Sequence, residues 1–269
     1  MEEKRVSSFV ELTEEDIRLI RGYLAVPEKP GNQLLTAEAM FRLAEDYGTG
    51  KNGKNQNEEQ AFYWYAQAAL LGYPDALDSL AKCLSDGNGI AQDDAAAAYW
   101  FAKMAKWGSS RSQNNLGWAY ANGVGVPQDD EQAAYWYRQA AEQGRAVAQE
   151  NLGQCYGAGW GVPQDEVQAA YWYSRAAEQG RVGAQFLIGA FYELGRGVTK
   201  VMKKRLIGID RQQSKVMQWR RAAWAFAMRK AGAFSVMKRR PYTGIGRRQS
   251  RAVPLPSLIL AFVMNLAKA

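Results

Sequence analysis

The chain has 269 residues, 47% of them apolar, with no His and two Cys, and a formal net charge of +7. That is enough apolar material for a substantial core, and it excludes imidazole chemistry and imidazole metal sites. The charge is split: residues 1–199 carry 17 Lys+Arg against 26 Asp+Glu (net −9), and residues 200–269 carry 17 against 1 (net +16).

No apolar run reaches the ~20 residues that a membrane-spanning helix needs, Leu258 to Leu266 included. The start, MEEKRVSSFVEL, lacks the apolar core of a secretion signal, so a cytoplasmic location is expected. Thr13 followed by Glu14, Glu15 and Asp16 reads as a capping box opening a helix with Ile17, Ile20, Tyr23 and Leu24 on one side. Pro27, Pro30 and Gly31 end it, and residues 1–35 are expected to be a capping helix with its linker, shielding the first core layer of a larger helical array.

From Thr36 the chain repeats itself. A Leu or Ile, a small residue, and an aromatic or Leu four after the first recur as Leu43/Ala44/Tyr47, Leu80/Ala81/Leu84, Leu116/Gly117/Tyr120, Leu152/Gly153/Tyr156 and Ile188/Gly189/Tyr192, at an offset of 37 and then 36 residues. The extra residue falls in the loop TGKNGKNQN at 49–57. Positions i and i+4 share a helix face, and the small residue allows a second helix to come close. Glycine pairs follow each of these A helices from the second on (Gly87/Gly89, Gly123/Gly125, Gly159/Gly161, Gly195/Gly197) and are expected to stop them.

A B helix then starts at Asn57, Asp93, Asp129 and Asp165, strong N-cap residues, with Gln60, Gln132 and Gln168 placed for a capping box. Its aromatic blocks, Tyr63/Trp64/Tyr65, Tyr99/Trp100/Phe101, Tyr135/Trp136/Tyr137 and Tyr171/Trp172/Tyr173, recur at the period of the fold and are expected to form the layer between units. Cys83 and Cys155 stand two repeats apart, too far for a disulfide, and are expected to be buried free thiols. A fixed period of this length marks a solenoid, since one unit cannot bury its apolar face alone. The complete units are 36–72, 73–108, 109–144 and 145–180, with the A helix of a fifth running on to 198.

The pattern LGxxY, GxGV, D, AxWY and AAEQG resembles the Sel1-like repeat family, relatives of the tetratricopeptide repeats, over residues 36–198. The resemblance implies an all-α solenoid of antiparallel helix pairs in a right-handed superhelix. It also implies a scaffold that holds a protein or peptide against its concave A-helix side. Carried over, the groove positions two before and two after the Leu/small pair's first residue are Phe41 and Glu45, Asp78 and Lys82, Asn114 and Trp118, and Glu150 and Gln154. These differ between units while the packing positions do not. A cysteine-rich branch of the family acts on β-lactams, and this chain lacks that branch's paired cysteines.

After Thr199 the period is lost in the amino acids as written. Read one base out of frame, it returns: Met202/Lys203, Met237/Lys238 and Met264/Asn265 each force Glu, and Met217/Gln218 forces Ala. A single consistent choice at the permissive junctions gives SDEEAAYWYRQAAEQG from Lys200 and a second full motif after it. Residues 199–269 are therefore expected to be frameshifted translation without a native fold, leaving an open fifth unit that invites association.

The residues admit three function classes. A non-catalytic scaffold is the main reading, with no cofactor and no metal. An enzyme would lack His, a GxSxG motif and a phosphate loop. Salt-sensitive binding of nucleic acid or anionic membrane through the +16 tail would be incidental to a shifted frame, so no specific nucleic acid is expected.

Overall fold

The computed structural model describes residues 9–24, 35–194 and 197. The segment 199–269, with the frame-shift expectation attached to it, lies outside the described residues. Within them are ten helices: α1 (Glu14–Tyr23), then α2 (Ala37–Thr49), α3 (Glu58–Leu70), α4 (Pro74–Asp86), α5 (Asp94–Lys106), α6 (Ser110–Asn122), α7 (Asp130–Glu142), α8 (Ala146–Ala158), α9 (Glu166–Glu178) and α10 (Val182–Leu194). From α2 on, each packs against the next as consecutive antiparallel pairs, the even-numbered helices being A and the odd-numbered B.

The helix ends follow the sequence. Asn57, Asp93, Asp129 and Asp165 cap the four B helices, each accepting from the backbone N–H three residues on. The A helices α2, α4, α6 and α8 stop at Gly50, Gly87, Gly123 and Gly159, all left-handed. The B helices do not close their boxes with the reciprocal Gln bond expected of them; among the described residues the closed box belongs to α1, between Thr13 and Asp16.

Packing inside a pair depends on the small residue of the A helix. At Gly117 an added Cβ would lie 2.8 Å from Tyr137 Cδ1, and at Gly153 it would lie 2.7 Å from Tyr173 Cδ1. The rings of Tyr137 and Tyr173 thus rest on α6 and α8, and both are buried. The aromatic block is divided by the helix itself, because three consecutive residues turn through about 200°. Trp64 and Trp100, with Phe101, Tyr137 and Tyr173, face the core, whereas the leading rings Tyr99, Tyr135 and Tyr171 are exposed and do not join the layer between units. Cys83 and Cys155 are buried free thiols whose burial pushes both up to about 12.

Stacking of one pair on the next uses two devices. The second glycine of each pair is a joint rather than a helix stop: Gly125 sits against the Asp94 carbonyl of α5 and Gly161 against the Asp130 carbonyl of α7, at the first turn of the preceding B helix. A buried glutamine ladder is the other. Gln113, Gln149 and Gln185 donate to the carbonyls of Ala105, Ala141 and Ala177 at 3.1 Å each, reaching from an A helix to the last turn of the preceding B helix. Gln143 and Gln179 donate in turn to Gln113 and Gln149. Fully paired amides of this kind fix one stacking register.

The N-terminal helix does more than shield an end. Val10 N–H donates to the Gly72 carbonyl at 2.8 Å, Tyr23 meets Phe62 edge-on at 6.5 Å, and Ile20 is fully buried. Asp16 reaches α5, accepting from the Tyr99 hydroxyl at 2.8 Å and from the Lys103 ammonium. So α1 lies over the B helices of the first two pairs.

Candidate partner-binding face

The eight candidate positions separate into two rows. The row after the Leu points outward: Glu45, Lys82 and Trp118 are exposed and Gln154 is half-buried, one from each of α2, α4, α6 and α8. Trp118 is 47% exposed. A free-standing indole of that size is costly to leave in water and suits a recognition hot spot. Lys82 is held by Asp86 of its own helix at 2.6 Å and keeps its side chain in solvent.

The row before the Leu corrects the carried-over assignment. Asp78, Asn114 and Glu150 are buried between successive A helices instead of facing an open groove. Asp78 accepts from the hydroxyls of Ser109 (2.6 Å) and Ser112 at the start of α6. Burial pushes its carboxyl up, against the pull of those two donors. Asn114 accepts from Asn151 of α8 at 3.1 Å. Glu150, 3% exposed, pairs with Arg181 Nε at 2.7 Å, and its carboxylate fills the space left by Gly183 of α10. Phe41 is half-buried against Tyr65 and Tyr73, with ring centroids 5.6 and 5.3 Å away.

The physical reason is position along the axis: residues two before and two after the Leu are four apart and share one helix face, but the earlier one meets the first half of the next A helix while the later one, a turn further on, lies beyond that contact. These residues differ between units because each joint is solved with its own polar pair. Arg181→Ala is therefore expected to strand the Glu150 carboxylate and cost about 2 kcal/mol in urea unfolding, below the ~3–5 kcal/mol of a fully buried pair because the Arg is itself 38% exposed. Glu150→Gln together with Arg181→Ala should recover most of that loss.

Sequence reasoning missed the glutamine ladder, although its signal was present as Gln113, Gln149 and Gln185 at constant offset three before the Leu or Ile. It also missed the Tyr99 and Lys103 contacts to Asp16, because Asp16 lies on α1, outside the repeats. Among the described residues no group of His, Cys, Asp and Glu could hold a metal ion, and no helix is long and apolar enough to cross a membrane.

Stacked helix pairs with a constant core and a varied A-helix face define a helical repeat protein of the tetratricopeptide-like class. Residues 37–73, 74–109, 110–144, 146–180 and 182–204 each match the Sel1 repeat, and the chain belongs to the Sel1 repeat family. It is similar to the crystal structure of c5321, a protective antigen of uropathogenic Escherichia coli strains displaying an SLR fold. That match has 34% identity and a TM-score of 0.58 over 63% of this chain and 37% of that one. It is also similar to a Sel1 repeat protein from Oxalobacter formigenes, with 29% identity and a TM-score of 0.56 over 61% of this chain and 65% of that one. The chain thus spans less than two thirds of either relative's length. No curated protein matches it.

Proposed function

We propose that the protein is a non-catalytic scaffold that binds a protein or peptide along the outward row of its A helices. Repeat proteins of this class generally mediate protein interactions. The observation that carries the reading is the row Glu45, Lys82, Trp118 and Gln154, which changes character from unit to unit at a constant place while the packing residues beneath it stay the same. A face with an acid, a base, an indole and an amide in sequence reads an extended partner of several residues, with Trp118 as the anchor. A cytoplasmic setting agrees with the two free thiols.

The test is capture of partners from cell extract by the chain and by its Trp118→Ala variant. Trp118→Ala should weaken binding about tenfold or more, the cost of a central aromatic anchor, while leaving the thermal midpoint within 1–2 °C, about what a surface change produces. Retention of the same partners by a fragment ending at Val198, and by the chain extended in the restored frame, is expected if the basic tail has no part in recognition. Partner binding indifferent to Trp118 and Lys82 would remove the A-helix face from consideration.

A further inference from the structure

The ring, indole and cation of the seat that α1 occupies recur two repeats on, and among the described residues only the first copy is filled. Beside Phe62, which meets Tyr23 of α1, α3 carries Tyr63, Trp64 and Gln67, and α5 carries Tyr99, Trp100 and Lys103; Ala134 stands where a second copy would repeat Phe62. Two repeats later, α7 and α9 present Tyr135, Trp136 and Gln139, then Tyr171, Trp172 and Arg175, the same order of ring, indole and amide followed by ring, indole and cation. The intervening pair, α5 with α7, has the cation first and does not reproduce it. Burial marks the difference in occupancy. The difference is in the indoles: Trp64 and Trp100 are 9% and 0% exposed where α1 lies, whereas Trp136 and Trp172 are only partly buried; the leading rings are alike, Tyr99 at 41% and Tyr171 at 39%.

At the filled seat the recognition chemistry is explicit: a carboxylate in the capped first turn of a helix takes the Tyr99 hydroxyl and the Lys103 ammonium, and an Ile one turn on is buried beneath it. Tyr171 and Arg175 offer the same hydroxyl and a cation of the same sign, and neither makes a hydrogen bond or ion pair among the described residues. From this repetition and charge complementarity we infer that the α7/α9 face is a second docking surface. Its occupant is an amphipathic helix of a partner protein that carries an acidic residue in its capped first turn and a branched aliphatic residue four positions later. A second copy's α1 is the poorer candidate, because each chain has one such helix and holds it in its own first seat. The extended lead-in of α1 is not part of the match, since the Gly144 carbonyl, equivalent to the Gly72 carbonyl that Val10 uses, already accepts from Gln179. This surface is on the B helices and stands independently of the A-helix face proposed above.

The probe is a fluorescein-labelled peptide of residues 10–24, VELTEEDIRLIRGYL, titrated into the full chain and followed by anisotropy. Saturable binding is expected with Kd on the order of 10–100 µM, weakening with salt as a carboxylate–guanidinium contact does. Arg175→Glu should weaken it at least tenfold and Tyr171→Phe severalfold, with helical circular dichroism unchanged, and the same peptide carrying D16A should bind no better than a peptide of scrambled order. Lys103→Glu should leave the affinity intact. Three results would overturn the inference: no saturable binding, binding that is lost in Lys103→Glu and kept in Arg175→Glu because the peptide has displaced α1, or concentration-dependent dimerisation abolished by Arg175→Glu, which would make the occupant a second copy.

Discussion

Gly161→Ala is expected to lower the unfolding free energy by about 4 kcal/mol, although it adds one methyl group at a loop position. Two costs combine there. The backbone is left-handed at φ 64°, which for a residue with a Cβ costs about 1–2 kcal/mol. The new methyl would also overlap the Asp130 carbonyl oxygen and the start of α7, and these are backbone atoms that cannot swing aside; forced displacement of a packed joint costs about 1–3 kcal/mol. Gly159→Ala is the internal control, with φ 77° but its added Cβ 3.4 Å from Gln164 Cβ, an ordinary van der Waals contact, so about 1–2 kcal/mol is expected. Urea titrations of both variants, with hydrogen exchange to locate the loss between α7 and α9, give the comparison. Equal losses at the two glycines would mean that Gly161 merely turns the chain and that the stack is not jointed there.

The contrast shows what the sequence could and could not disclose. The glycine pair is visible as a recurring pair, and a helix stop accounts for Gly159; that Gly161 touches the preceding unit is a long-range contact to a carbonyl, which any residue supplies and no letter records. The same holds for the A-helix rows. Leu152 and Gly153 are legible because periodicity and burial coincide, and Asp165 is legible because capping is local. Glu150 misleads, since variability between units is shared by partner-reading positions and by joints solved one at a time. The residue that discriminates them, Arg181, lies 31 positions away in a different helix. Asp16 was readable as a capping residue, and its second role emerges only when α5 brings Tyr99 and Lys103 beneath it.

The second large effect concerns that carboxylate. Lys103→Met is expected to undock α1 at neutral pH and cost about 3 kcal/mol, because it keeps most of the apolar stem and leaves Asp16, 0% exposed, without its cation. Lys103→Arg should retain docking. In the unaltered chain, burial pushes the Asp16 carboxyl up, but the Lys103, Thr13 and Tyr99 bonds outweigh it and hold the group down at about 2, against 3.8 for an ordinary Asp. A carboxylate held below its unfolded value contributes stability that is full above about pH 4 and disappears as pH falls through about 2. Tyr99 is pushed up to about 12 by burial and by the Asp16 hydrogen bond, so its contribution is full below about pH 10 and is lost as pH rises through about 12. Asp78, raised by burial, runs opposite to Asp16: protonating it in acid favours the folded joint between α4 and α6. Acidification should therefore release residues 13–24 before it loosens the repeats. Amide protection factors at pH 6, 4 and 2.5 should fall in α1 while those of α6 and α8 persist, and Asp16→Asn should abolish the acid dependence of α1 by removing the titrating group. Simultaneous loss of protection in α1, α6 and α8 would show that the N-terminal helix is an inseparable part of the stack and that Asp16 does not govern its release.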